Sequence, residues 1–110
     1  MLLWVGRWQN ENLRAHMYAK RVDENQKHIV NELRNHGRSV FVASATGSGF
    51  PDLVVGYKNK THLIEVKKPC KDPTKKLTPA QQKFHNTWKG SKIHIVTSAH
   101  EALEITCKHD

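Results

Sequence analysis

Leu53-Val54-Val55-Gly56-Tyr57-Lys58-Asn59-Lys60-Thr61-His62-Leu63-Ile64-Glu65-Val66-Lys67-Lys68 lies at the middle of the chain and holds two apolar runs about a polar centre. Its flanks are rich in β-branched and aromatic residues, which suit a pleated, half-buried surface, and Lys58-Asn59-Lys60 between them is polar and turn-forming. The stretch therefore predicts a hairpin, one strand over 53–57 and a second over 61–68. With the turn centred on Asn59-Lys60, Lys58 pairs with Thr61 and Asp52 lies opposite Lys67. In that register, or in one slipped by two residues, Asp52, Glu65 and Lys67 share a face of the sheet, because strand side chains alternate with a period of two. Ile64 and Val66 then point the other way, into the core. Cross-strand neighbours stand ~5 Å apart and same-face neighbours along one strand ~7 Å, so two carboxylates and an ammonium group converge on one small area.

Working outward, Thr46-Gly47-Ser48-Gly49-Phe50-Pro51 reads as a loop that cannot hold a ladder, and Arg38 to Ser44 before it reads as a strand. Ile29, Val30 and Leu33 recur at helical spacing, with Asp23 as N-cap and Gly37 as the stop, which predicts a helix over 23–36. On the other side, Pro69 to Pro79 is a basic loop. Thr78-Pro79-Ala80-Gln81 then matches a capping box with proline at the first helical position, opening a helix that runs to about Lys89 and stops at Gly90. A strand over 92–97 and a helix from Ala99 to about Thr106, capped by Ser98, complete the chain. Phe84 and Trp88, at i and i+4, are assigned to the core. The order is α-β-β-β-α-β-α, an α/β fold with a mixed central sheet flanked by helices and a right-handed parallel crossover over 62–97. Residues 1–20 carry Trp4, Trp8, Leu13 and Met17 at spacings of four to five. They read as an arm or loose amphipathic helix, a candidate dimer contact, ahead of a domain over 21–110.

At 110 residues there is room for one domain with a modest core, which a second subunit would help to stabilise. A net charge of +8, from 18 Lys and Arg against 10 Asp and Glu, attracts polyanions, nucleic acid first among them. No apolar run reaches the ~18 residues of a membrane span, and the opening Met1 to Val5 is too short for a signal-peptide core, so the cytoplasm is the expected location. Cys70 and Cys107 form no CxxC pair and are read as free thiols, Cys107 a buried one. The 8 histidines fall into no HExxH or Cys/His ligand pattern and are read as scattered surface residues.

Two carboxylates are hard oxygen ligands of the kind magnesium takes while leaving positions open for water and a phosphate oxygen. A cation held there acts as a Lewis acid, and an adjacent lysine offsets charge that builds on a phosphorane-like transition state. Asp52, Glu65 and Lys67 thus suit hydrolysis of a phosphodiester. The bland use of Glu65 and Lys67 is a solvated ion pair on an edge strand.

Gly49-Phe50-Pro51-Asp52-Leu53 followed by Leu63-Ile64-Glu65-Val66-Lys67 resembles the paired motif of the PD-(D/E)XK nuclease superfamily, and more closely the small stand-alone VRR-NUC domains of phages and bacteria. The likeness covers most of 21–104, including Arg21-Val22-Asp23-Glu24-Asn25-Gln26 and Leu77-Thr78-Pro79-Ala80-Gln81-Gln82 with Phe84, His85 and Trp88. The resemblance implies a restriction-endonuclease-like domain in which Asp52 and Glu65 bind Mg2+, with Mn2+ as a substitute, and Lys67 serves the nucleophile. It places Gln26 where many members carry a metal-binding glutamate; Glu24, two residues earlier, faces away by ~200° on a helix. Gln81 is assigned to orient water or contact nucleic acid, besides its capping role. Arg21, Ser48, Lys68, Lys71, Lys75 and Lys76 are assigned to nucleic-acid contact, the lysines as phosphate binders that position a backbone without reading sequence.

The function expected is a metal-dependent DNA endonuclease, structure-selective for Holliday junctions or other branched DNA, acting as a homodimer in a bacterial or phage-infected cell. Two other readings stay open. One is a sequence-specific nuclease, homing or restriction-like, against which the lack of a helix-turn-helix, zinc finger or basic zipper weighs. The other is a non-cleaving nucleic-acid binder, which only Gln26 invites.

Overall fold

The computed structural model describes residues 24–107. Asp23, Arg21 and the 1–20 arm lie outside the described residues. The first helix, α1, covers 24–35 and ends at Gly37 in a left-handed conformation, φ 83°. There the Arg38 N–H donates to the Leu33 carbonyl at 2.9 Å and the Gly37 N–H to that of Arg34 at 3.1 Å, a Schellman stop that a Cβ at Gly37 would strain. Strand β1 is Ser39–Val42, followed by one 3-10 turn at Ser44–Thr46. Strand β2 is Leu53–Tyr57 and β3 is Lys60–Val66. Within the basic loop, Pro73–Lys76 forms a second 3-10 turn capped by Asp72. Helix α2 (Pro79–Thr87), strand β4 (His94–Val96) and helix α3 (Ala99–Cys107) complete the order read from sequence.

The sheet runs β1-β2-β3-β4, antiparallel across the first three strands and parallel between β3 and β4. The hairpin turn is Lys58-Asn59, both at positive φ (49° and 66°), so Tyr57 pairs with Lys60 and Leu53 with Ile64. Of the two registers left open, this is the one slipped by two. Positive φ at both central residues is what a primed two-residue turn demands, since only its twist matches that of the strands. Extending the ladder by one pair sets Asp52 opposite Glu65 rather than Lys67.

Ile29, Val30 and Leu33 of α1 and Ala102 of α3 pack with Leu53, Val55, Ile64, Val66 and Val96 into one core on one face of the sheet. Arg38, expected in the first strand, instead lies buried just before it. Its guanidinium donates to Thr106 Oγ1 at 2.9 Å and to the Leu103 and His36 carbonyls, with its carbon 3.8 Å from the Tyr57 ring centre. The opposite face carries α2, which buries no residue fully. Phe84 and Trp88 accordingly stay out of the core. They form a separate stack, Trp88 nearly parallel to Phe84 at 5.4 Å and Phe84 edge-on to Phe50 at 5.4 Å. Helix α2 stops at Thr87, short of Lys89, because Trp88 turns to extended backbone. Cys107, expected to be buried, is exposed on the last turn of α3; Cys70 is exposed and both are free thiols. Among the described residues no helix is long and apolar enough to cross a membrane.

Candidate active site

Asp52, Glu65 and Lys67 meet at the end of the sheet where β2 begins and β3 finishes. Glu65 is 1% exposed on the third strand of four, covered by α2, so it is no solvated pair on an edge. Its Oε2 accepts from Gln81 Nε2 at 3.1 Å and lies 3.8 Å from Lys67 Nζ, while its Oε1 is buried with no hydrogen-bond partner. Asp52 is held through both oxygens. The Val66 N–H donates to Oδ2 at 2.9 Å, and Ser44 Oγ donates to Oδ1 at 3.3 Å. Burial first, then a hydrogen bond that the protonated carboxyl can share with Asp52, then the like charge of Asp52, pushes the Glu65 carboxyl up to about 9 against the pull of Lys67, and it is the ionised form that is left with an unpartnered oxygen.

Gln81 joins the site through a local rule of helix starts. Its N–H donates to Thr78 Oγ1 at 3.2 Å, and its side-chain Oε1 accepts from the Thr78 N–H at 2.9 Å. That same Oε1 accepts from Lys67 Nζ at 2.8 Å, so one capping box fixes the amide that bridges Lys67 and Glu65. The helix is seated against the Gly47–Phe50 turn, where Gly49 has φ 79°. A Cβ at Gly49 would stand 2.2 Å from the Ala80 carbonyl oxygen and 2.9 Å from the Gln81 nitrogen. Only glycine lets the loop before Asp52 approach the helix that carries Gln81.

The first helix enters from the side. Gln26 Nε2 donates to Ser44 Oγ at 2.8 Å, which places Gln26 one hydroxyl away from Asp52, whereas Glu24 is exposed. Ser48 is exposed in the turn closed by the Phe50 N–H to the Gly47 carbonyl at 3.1 Å. Lys68, Lys71, Lys75 and Lys76 are exposed, and Lys67, Lys68 and Lys76 line one cleft of about 350 Å3 beside the carboxylates. Arg21 lies outside the described residues.

Two contacts and one buried, unpartnered ring nitrogen were not legible in the sequence. Ser44 touches Asp52 from eight positions away, a distance only the β1–β2 connection closes. Asn25 donates to the carbonyls of Lys67 and Thr97 at 3.4 Å each, tying α1 to the strand ends under the site. His85 follows Gln81 by one helical turn, a spacing that could have flagged it. Its Nε2 is buried without a partner, and burial, then the Lys67 charge, holds its imidazole below the ordinary range.

The donors suit a hard divalent cation. Among the described residues no third carboxylate, imidazole or thiolate joins Asp52 and Glu65. Magnesium uses one or two protein carboxylates and completes its shell with water and phosphate oxygens. The orphaned Glu65 Oε1 beside a second carboxylate, at a pair that repels itself, is the arrangement a cation relieves.

Residues 5–98 match the family model of the VRR-NUC domain. No curated protein and no solved structure matches the chain. With that match spanning most of the 110 residues, over a sheet that sets Asp52, Glu65 and Lys67 together, the chain belongs to the VRR-NUC domain family of the PD-(D/E)XK nuclease superfamily.

Proposed function

We propose that the protein is a Mg2+-dependent endonuclease, with Mn2+ as a substitute, that cuts branched DNA such as Holliday junctions as a homodimer. The observation that carries the metal dependence is the buried, unpartnered Glu65 Oε1 beside Asp52. Asp52 and Glu65 would hold the cation, with the Gln26 amide completing the set. When bound, the cation supplies Lewis acidity to the scissile phosphate and relieves the repulsion between the two carboxylates. Lys67, braced at 2.8 Å by Gln81, places a positive charge where negative charge accumulates on the phosphoryl oxygens. Gln81 spends its NH2 group on Glu65 and its oxygen on Lys67, so it orients both groups and keeps Lys67 from collapsing onto the carboxylate. Water gives up a proton to solvent as its oxygen bonds to phosphorus, the P–O bond to the leaving sugar oxygen breaks, and that oxygen takes a proton from solvent. Asp52, held at both oxygens, keeps its place through the cycle.

Lys68, Lys71, Lys75 and Lys76 of the basic loop, with Ser48 and Arg21, would grip phosphates on either side of the cut. Among the described residues no two α-helices follow one another without a strand between them, so there is no helix-turn-helix to read bases, which favours recognition of DNA shape. Paired cuts in a junction require two sites related by a two-fold axis, hence the homodimer. A phage or prophage recombination setting follows from the same reading.

The test incubates the protein with a labelled four-way junction, a flap and a matched linear duplex, in Mg2+, Mn2+ or EDTA. Metal-dependent paired cuts confined to the junction, and abolished by Glu65→Ala with binding retained, are the expected outcome. Equal cutting of all three substrates would replace it with a general nuclease. Binding without cutting in either metal would make the protein a non-cleaving binder.

A further inference from the structure

Phe41 is 67% exposed, the most exposed large hydrophobic residue among those described. The ladder fixes which face it occupies. Phe41 pairs with Val54 and Val54 with Leu63, while the neighbours of that row, Leu53 and Ile64, belong to the buried core on the other face. Phe41, Val54 and Leu63 therefore form an apolar row on the face that carries Asp52 and Glu65. The row is one pleat repeat from the carboxylates: ~7 Å along a strand and ~5 Å between strands put the Phe41 and Asp52 Cα atoms about 9 Å apart. At roughly 3.4 Å per stacked nucleotide, that is the reach of about two to three nucleotides from the scissile phosphate.

A half-covered row such as Val54 and Leu63 gives a floor, and a bare phenyl ring at its open end offers a π-face to a flat apolar ligand. The ligand that arrives beside a phosphodiester site is a nucleobase. Inside a duplex both faces of a base are already stacked, so only an unpaired base is free to use the ring. Charge favours the same occupant. The chain is +8 overall, and the Arg34 guanidinium donates to the Val40 carbonyl at 3.0 Å, setting a cation next to Phe41 where a strand's phosphates would run. That cation also guards the outer edge of β1 against pairing with a second copy, since two copies meeting there would bring like charges together.

We propose that Phe41, on its Val54–Leu63 floor, is a stacking platform for an unpaired base about two to three nucleotides from the cut, so that a branch point whose bases come unpaired is held better than a closed duplex. This deepens the nuclease reading and rests on it.

The experiment places 2-aminopurine at the unpaired position beside the branch of a flap, and at the matched position of a plain duplex. Binding is measured by its fluorescence in the Glu65→Gln background, which prevents cutting. Phe41→Ala is expected to weaken flap binding about tenfold and abolish the quench, with duplex binding changed by less than about twofold. Phe41→Trp should restore both. A flap with an abasic residue at the probed position should be bound equally well by Phe41→Ala and its parent, and hydrolysis of bis(p-nitrophenyl) phosphate by the unsubstituted protein reads the nuclease chemistry by itself. Equal loss on flap and duplex, or an unchanged quench, overturns the platform. So does sedimentation showing that Phe41→Ala turns a dimer into monomers, which would make Phe41 a subunit contact. If wild type cleaves neither DNA nor the chromogenic diester, the nuclease reading fails, while the quench and its loss in Phe41→Ala still decide the platform.

Discussion

Burial first of all pushes the carboxyl of Glu65, 1% exposed, up to about 9, and under the proposal that it holds a cation this one group would couple stability, metal and proton. Its folded-state pKa lies above its unfolded value. The stabilisation it contributes is therefore complete below about pH 4.5 and is lost progressively as pH rises toward about 9. Thermal melts of the metal-free protein across that window should show falling stability. Glu65→Gln should flatten the slope while abolishing metal-dependent cleavage, and an unchanged slope would contradict the burial argument. Cation binding should release a proton at pH 7, seen as a buffer-dependent heat in titration calorimetry. Gln26→Glu tests the first helix: if Gln26 belongs to the metal set, the added charge should lower the Mg2+ needed for half-maximal cleavage by about tenfold. No change in Mg2+ dependence would confine Gln26 to holding Ser44.

At the scale of elements, α2 is attached to the sheet by little apolar burial and is held by specific contacts instead: the Gln81 bridge to Glu65 and Lys67, the edge-on contact of Phe84 with Phe50 and the close approach of Gly49. Gly47 and Gly49 provide a controlled pair, since both have positive φ but a Cβ at Gly47 would meet nothing within 4 Å. Gly47→Ala should cost only backbone strain, about 1 kcal/mol. Gly49→Ala adds a clash with the backbone of Ala80, and should cost about 2 kcal/mol more in denaturant titrations, within the range of overpacked sites. It should also lower cleavage well beyond Gly47→Ala, because the helix must shift and Gln81 moves with it. Equal effects of the two would show that α2 is not positioned by this loop.

Over the whole molecule, positive charge gathers beside the carboxylates, where Lys67, Lys68 and Lys76 border one cleft and Lys71 and Lys75 sit near it. Each phosphate neutralised adds about 0.9 to the slope of log affinity against log salt on duplex DNA. Replacing Lys71, Lys75 and Lys76 together by Gln should reduce that slope by about 2 to 3 and weaken binding to all DNA forms alike. Hydrolysis of bis(p-nitrophenyl) phosphate should stay unchanged, since the reacting groups are untouched. A change in that turnover would place one of these lysines in the reaction itself.

Whatever local physics controls can be read from the residues alone. The 3.6-residue period of Ile29, Val30 and Leu33, the period of two in the hairpin, the Thr78 capping box and the Gly37 stop are each set by a few neighbouring residues, and all of them stand in the structure. The shared face of Asp52 and Glu65 was legible for the same reason: alternation survives any slip by an even number of residues. Tertiary structure decided the rest. It selected the register, because Lys58-Asn59 and Asn59-Lys60 both make two-residue turns and both keep the same face inward, so the pairing of the whole strands decides between them. It sent Phe84 and Trp88 out of the core, because the helical period says that a side of α2 is apolar but not which surface meets it. It brought Ser44 to Asp52 and Asn25 to Lys67, because contacts between distant segments depend on how the layers stack, and no spacing along the chain encodes that.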